Sequence, residues 1–310
     1  MIAVDAMGGD YAPEQIVKGA LQAAQKNVPV MLFGHQSEIE LILSKNDPLW
    51  HQLKISIKNC SEIIEMAEDP SFAVRKKTNS SLVKAVESVK DGLCCAAISA
   101  GSSGALMVAA SFILGRLEWV ERPAIIAELP FLKNRVVCLD LGANADCKPE
   151  YLLQFAYLGD LYAKDYLGIL QPRIALLSNG QEDGKGNLMT KQAFSLLKTS
   201  TLNFVGNVEP ELVFKNGTDV IVCDGFSGNI FLKTLEACEK FFGKKDVSFE
   251  KEMGGALLVG VKGTVVVAHG NSDANVMEKA ILFAFSRSLN FQKGNLNYGA
   301  LKESCSGMVV

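Results

Sequence analysis

The chain has 310 residues, of which 48% are apolar and 21% charged, with a formal net charge of -3. That is enough apolar material for one large α/β core. Because no run of five like charges occurs, the chain carries no electrostatic footprint for nucleic acid. The opening Met1-Ile2-Ala3-Val4-Asp5 lacks the basic start of a signal peptide, and no stretch approaches the roughly 20 unbroken apolar residues of a membrane span, so a cytoplasmic protein is expected.

In chain order, strands are predicted at Ile2 to Met7, Val28 to Gly34, Cys94 to Ala100, Val136 to Gly142, Ile174 to Asn179, Phe204 to Val208, Val220 to Asp224 and Val265 to His269. Most are nearly continuous Val, Ile, Leu, Ala or Cys, the pattern of strands covered on both faces and therefore of a parallel sheet. Helical stripes run between them at Pro13 to Gln25, Ser81 to Lys90, Glu150 to Tyr166 and Leu188 to Lys198. This alternation predicts a doubly wound, mostly parallel α/β fold over residues 1–310 as a single catalytic domain, with a polar excursion at Phe241 to Glu252. Of the eight cysteines, Cys94 and Cys95 are adjacent, and Cys138 and Cys223 lie inside apolar runs, which reads as reduced core thiols. With no Cys-x-x-Cys motif and no His/Cys cluster, no zinc site is expected.

Five strand ends run into Gly or small polar residues before a helix: Asp5-Ala6-Met7-Gly8-Gly9-Asp10, Ser99-Ala100-Gly101-Ser102-Ser103-Gly104, Asp140-Leu141-Gly142-Ala143-Asn144, Asp224-Gly225-Phe226-Ser227-Gly228-Asn229 and His269-Gly270-Asn271-Ser272-Asp273. Ligands of open α/β sheets bind beyond the carboxyl ends of strands, so these loops are expected to line one crevice. None carries the dinucleotide fingerprint or the P-loop pattern. Gly101-Ser102-Ser103-Gly104 offers backbone N–H groups and two hydroxyls at a helix start, which serves either as a phosphate cradle or as a plain N-cap. Asp224 to Asn229 repeats that design and adds the Asn229 amide as an oxyanion donor.

Asp183-Gly184-Lys185-Gly186-Asn187 places one lysine between glycines, open to an anion, although an exposed loop lysine is the commoner role. His269 stands where a base would be useful, or is a satisfied structural histidine. His35 and His51 show no acidic or nucleophilic companion and read as structural or solvated. Arg75-Lys76-Lys77 is a solvated patch or a receiver for an acidic partner. No Gly-x-Ser-x-Gly elbow is present, which argues against a Ser-His-Asp hydrolase.

Taken with Lys148-Pro149-Glu150, Gly104-Ala105-Leu106-Met107, Lys185-Gly186-Asn187 and Asn203-Phe204-Val205-Gly206-Asn207-Val208-Glu209, these motifs resemble the phosphate acyltransferases of bacterial phospholipid synthesis over nearly the whole chain. The resemblance implies an isocitrate/isopropylmalate dehydrogenase-like fold, a homodimer, and transfer of a fatty acyl group from acyl carrier protein to inorganic phosphate without metal or other cofactor. It also implies peripheral association with the inner membrane face and delivery of acyl phosphate to a glycerol-3-phosphate acyltransferase. The family's active-site lysine and asparagine fall on Lys185 and Asn229. The expected phosphate and substrate contacts are Asp5, Gly8, Gly9, Ser99, Gly101, Ser102, Ser103, Asn144, Asn187, Ser227, Gly228, His269 and Ser272.

Two departures stand out. Ser102-Ser103 replaces the family's Asn-Thr, and the stretch 234–253 is much shorter than the helical hairpin that the family places there.

Phosphate is largely deprotonated near neutral pH and a thiol is a good leaving group, so positioning and charge stabilisation suffice for the transfer, and Cys147 is not expected to act as a nucleophile. The alternatives are a phosphotransacetylase-like enzyme using acyl-coenzyme A and a non-catalytic scaffold for carrier protein at the membrane. A dehydrogenase of similar fold would want a metal and paired aspartates that the sequence does not place.

Overall fold

Ile2-Ala3-Val4 and Ala96-Ala97-Ile98 are fully buried and pair side by side in parallel, as their unbroken apolar runs predict. The computed structural model describes residues 1–129, 135–215, 217–242 and 255–292. In chain order its elements are β1 (Ile2–Asp5), α1 (Glu14–Gln25), β2 (Val30–Gly34), α2 (Gln36–Asn46), β3 (Ile55–Asn59), α3 (Pro70–Lys76), α4 (Ser81–Lys90), β4 (Ala96–Ser99) and α5 (Ser103–Ala109). There follow β5 (Ala124–Leu129), β6 (Val136–Leu139), α6 (Pro149–Leu167), β7 (Ile174–Leu177), α7 (Leu188–Thr199), β8 (Phe204–Val208), β9 (Val220–Val222), α8 (Gly225–Phe242), β10 (Ala256–Val259), β11 (Thr264–Val267) and α9 (Ala274–Gln292). Among the described residues no helix is long and apolar enough to cross a membrane.

The chain divides into two compact units, the first holding Met1–Arg116 and the described part of Met253–Lys293, the second the described part of Leu117–Glu252. In the first unit the strand order is β3-β2-β1-β4-β11-β10, parallel except for β10 against β11. The chain winds from β1 outward to β3 and then returns to β4 on the other side of β1. Right-handed crossovers therefore put α1 and α2 on one face and α4 on the other. Packing agrees: α1 touches α2 and α9, while α4 touches α5. The order reverses at β1 and β4, which is where an open sheet leaves room for a ligand beyond its carboxyl ends.

In the second unit the order is β5-β6-β9-β7-β8, with β6, β9, β7 and β8 parallel and β5 antiparallel to β6. Helix α6 lies directly on β9, where Gly159 leaves no room for a side chain: a Cβ there would stand 2.4 Å from Val220 Cγ1.

All eight expected strands form. Several stop short of their expected ends, β6 at Leu139 rather than Gly142 and β9 at Val222 rather than Asp224, because the acids that follow turn the chain. Three strands lacked a signal. Edge strand β3 is half-exposed, β5 carries Glu128, and β10 is four residues long. The pairing is mostly parallel, as expected; β5 with β6 and β10 with β11 run antiparallel, a direction that composition does not encode. Of the expected excursion, 241–242 close α8 and 243–252 lie outside the described residues.

Arg173 and Asp219 lock the starts of β7 and β9. Arg173 donates from N (2.8 Å) and Nε (2.9 Å) to Asp219 Oδ2 and from Nη2 to Oδ1 (2.9 Å). Burial pushes the Asp219 carboxyl up, but the Arg173 hydrogen bonds and charge outweigh it and leave the carboxyl below the ordinary aspartate value. A carboxyl depressed in the folded state stabilises the fold above its unfolded pKa, and that contribution disappears as pH falls through the folded value. Asp219→Ala should therefore cost about 1–3 kcal/mol at pH 7, less than a fully buried pair because Arg173 is partly exposed. In urea denaturation the gap between variant and wild type should close below about pH 4.

Candidate active site

In the first unit, three loops meet beyond the adjacent strands β1, β4 and β11. Asp5, the last residue of β1, is buried and accepts from Ser99 Oγ at 2.6 Å and from the Met7 N–H at 3.3 Å. It also accepts from Ser81 and from the Gly8 backbone, so one carboxyl ties β1 to the end of β4 and the start of α4. Burial pushes that carboxyl up, against the pull of these donors. Gly8 is required by this closeness, since a Cβ there would lie 2.5 Å from Asp5 Oδ2 and 2.9 Å from the Gly101 nitrogen. The Gly101 N–H donates to Ser99 Oγ at 3.0 Å, and the Asp10 N–H donates to the Gly270 carbonyl at 2.7 Å, which draws in the loop after β11. Gly9, at φ 114°, takes a backbone conformation that a side chain would strain.

Ser102 is the N-cap of α5 and accepts from the Ala105 N–H at 3.3 Å, and Ser103 begins the helix. Ser272 is buried and donates to the His269 carbonyl at 2.6 Å, closing its own turn. His269 is half-buried two residues beyond β11.

In the second unit, Asp140 follows β6 directly and is fully buried. It accepts from the backbone N–H groups of Ile125 (2.9 Å), Gly142 (3.3 Å), Ala143 (3.0 Å) and Asn144 (2.7 Å), and from the Asn144 amide (2.8 Å). Burial pushes the Asp140 carboxyl up while these donors pull it down. The Asn144 amide also donates to the Pro123 carbonyl at 2.7 Å, so the fold itself uses both of its hydrogens.

Asp224 caps α8 by accepting from the Ser227 N–H at 2.8 Å, and the Gly225 N–H donates to the Asn144 carbonyl at 2.8 Å, which joins the loops after β6 and β9. Gly228 packs so closely on this turn that a Cβ would stand 2.0 Å from the Asp140 carbonyl oxygen. Asn229, one turn into α8, donates to the Leu141 carbonyl at 3.3 Å.

Lys185 belongs to the loop after β7, the neighbour of β9, and so stands at the same carboxyl edge of this sheet as Asn229. Its side chain is exposed and enters no hydrogen bond or ion pair among the described residues. Asn187 caps α7, accepting from the Thr190 N–H and hydroxyl at 2.8 Å.

Cys147 lies beside this site, its thiol donating to the Asn144 carbonyl at 3.4 Å, and burial pushes it up to about 12. It is a protonated thiol at neutral pH and a poor nucleophile.

Thus thirteen of the fifteen expected contacts fall in two loop clusters, one in each unit, with Lys185 and Asn187 on the loop after β7. Asp140 was absent from the expected set, and the signal for it was an acid set directly after an apolar strand. One other reading is corrected. His35 has an acidic companion, Glu38, whose Oε1 lies 2.9 Å from its Nδ1. Of the basic triplet, Arg75 and Lys76 are exposed, over the rings of Phe112 and Phe72, while the half-buried Lys77 donates to Glu68 and to the Ile63 carbonyl.

Replacing Asp140 by Asn would keep its size but turn two donor hydrogens toward a nest of N–H groups. Asp140→Asn should destabilise the protein by about 2–4 kcal/mol, since unpaired buried groups cost about 1–3 kcal/mol each. Chemical denaturation checks this.

The description "Fatty acid synthesis protein" belongs to the family model that matches residues 1–245. The chain is 44% identical over 310 residues to the phosphate acyltransferase of Pelotomaculum thermopropionicum, covering 91% of this chain and 90% of the relative. It is 41% identical over 334 residues to that of Trichlorobacter lovleyi, covering 97% and 96%. Among solved structures it resembles a phosphotransacetylase from Streptococcus pyogenes (TM-score 0.67, 19% identity, covering 93% of this chain and 94% of that one). It also resembles the EutD phosphotransacetylase from Staphylococcus aureus (TM-score 0.62, 16% identity, covering 93% of each). These two likenesses establish the fold. The identity carried across nine-tenths of the chain establishes more: the chain belongs to the phosphate acyltransferase family and is an acyltransferase.

Proposed function

We propose that this acyltransferase moves a fatty acyl group from the thioester of acyl carrier protein to inorganic phosphate, giving acyl phosphate for phospholipid synthesis. A phosphate oxygen of HPO4(2-) attacks the thioester carbonyl carbon, and the electron pair of the C=O bond moves onto oxygen. The C–S bond then breaks as the carbonyl re-forms, and the proton of the phosphate ends on the departing thiol. The products are acyl phosphate and free carrier, and no protein nucleophile is consumed.

In this reading phosphate is held at the start of α8, in the same unit as Lys185, where the Ser227 hydroxyl and the positive end of the helix dipole favour an anion. Lys185 and Asn229 donate to the oxyanion that develops on the thioester carbonyl. The observation that carries the reading is the Lys185 ammonium, unpaired among the described residues, at the same sheet edge as the Asn229 amide, with a protonated Cys147 as the nearby thiol. Fixed donors without an activated nucleophile suit direct transfer rather than an acyl-enzyme.

The acyl phosphate product is a mixed anhydride open to hydrolysis. A glycerol-3-phosphate acyltransferase at the membrane is its natural consumer, and a homodimer associating with the cytoplasmic membrane face belongs to the same proposal.

Trapping acyl phosphate with hydroxylamine tests the reaction. Palmitoyl carrier protein should be turned over with phosphate far faster than palmitoyl- or acetyl-coenzyme A; preference for a coenzyme A ester would replace the carrier by the phosphotransacetylase-like alternative. Lys185→Ala and Asn229→Ala should each lower kcat about 10²- to 10³-fold while remaining folded, the usual cost of one oxyanion donor. Cys147→Ser should retain near wild-type turnover, and mass spectrometry of protein quenched during turnover should find no acyl adduct on Cys147.

A further inference from the structure

Among the described residues the Lys185 ammonium has no side-chain partner, so the chain around it must hold it in place. The Lys185 N–H donates to the Glu182 carbonyl at 2.9 Å, closing the turn Glu182-Asp183-Gly184-Lys185. The same carbonyl oxygen accepts from Asn207 Nδ2, also at 2.9 Å. Asn207 lies on β8, nine-tenths buried, so a rigid strand grips the turn at the atom that Lys185 uses. On the far side, the Gly186 N–H donates to Asn179 Oδ1 at 2.9 Å. Beneath the lysine lies Gly180, buried, where an added Cβ would stand 2.7 Å from Lys185 Cγ and 2.9 Å from Cδ. The lysine stem rests on this glycine because nothing projects from it.

Asn207 is an unusual choice for stability. Among the described residues its buried Oδ1 has no hydrogen-bond partner, and neither does Ser178 Oγ beneath the same loop. A buried unsatisfied oxygen is destabilising, and a leucine of similar size would remove that oxygen. What leucine lacks is the N–H that holds the Glu182 carbonyl.

We propose that Asn207 and Gly180 are positioning residues that set where the Lys185 ammonium stands. Asn207 anchors the turn through the Glu182 carbonyl, and Gly180 keeps open the floor on which the lysine stem lies. The inference rests on the oxyanion role given to Lys185 above and names the residues through which that role is built.

The test is a double-mutant cycle on the full chain, with palmitoyl carrier protein or, if that is the donor turned over, palmitoyl-coenzyme A, and phosphate. Asn207→Leu should leave the urea midpoint unchanged or raised, yet lower kcat at least tenfold with KM nearly constant, the mark of an interaction felt in the transition state. Gly180→Ala should do the same by displacing a flexible stem, and it carries the test alone if Asn207→Leu does not fold. In the Lys185→Ala background, either change should alter kcat less than twofold, because residues that act through one group are not additive. Normal kcat in the single variants, or full multiplicative losses on top of Lys185→Ala, overturns the inference while leaving the lysine's role intact. Wild-type turnover by Lys185→Ala itself would instead remove the lysine from the mechanism, and the inference with it.

Discussion

A carboxylate removed from water must receive its hydrogen bonds from the chain, and two such acids, one in each unit, govern how this protein's strands end. Asp5 closes β1 and Asp140 follows β6, both at or near zero exposure. Each is costly to bury unless surrounded by donors. Asp140 draws the N–H groups of Gly142, Ala143 and Asn144 inward, and Asp5 draws in Met7, Gly8, Ser81 and Ser99. The turn conformations that bring those donors around the acids also require the glycines: Gly8 touches Asp5, and Gly228 touches the Asp140 carbonyl.

Once the strand ends are pinned in this way, the helix starts that follow them stand in fixed places. Asp224 and Ser102 cap α8 and α5, and Asn187 caps α7, so the polar residues of the loops are largely committed to holding the scaffold. The uncommitted chemistry is concentrated in a few groups, above all the Lys185 ammonium. The proposed reaction, in which preorganised donors stabilise charge, needs this arrangement, because a donor that had to reorient during the reaction would give back the energy it supplies. The raised pKa of Cys147 belongs to the same design, since the burial that orders the site also keeps that thiol protonated.

Polar satisfaction is not uniform across the second unit. Among the described residues, Asp140, Arg173 and Asp219 have no buried side-chain atom without a hydrogen-bond partner, and these are the parts that hold strands together. Beneath the lysine loop, Ser178 Oγ and Asn207 Oδ1 are buried without partners among the described residues. Local departures from complete pairing are expected where a residue is kept for what it positions rather than for stability.

Eight of the strands and the four helical stripes were legible in the sequence because a strand buried on both faces must be continuously apolar and a surface helix must repeat at its own period. Strands β3, β5 and β10 were not, since an edge strand, a strand bearing Glu128 and a four-residue strand obey weaker constraints. The candidate site was legible as motifs: Gly-rich strand ends, a lysine between glycines and an asparagine at a helix start. The sequence by itself thus determined the fold class and which residues are candidates for the chemistry, because both are written in local composition and spacing. Only the tertiary structure decided that Asp140 organises the turn after β6, that Asn144 is consumed within the fold, and that Asn207 and Lys185 share the Glu182 carbonyl. Those pairings join residues distant in the chain, and a hydrogen bond between neighbouring loops depends on strand order and pairing direction, which no local pattern records.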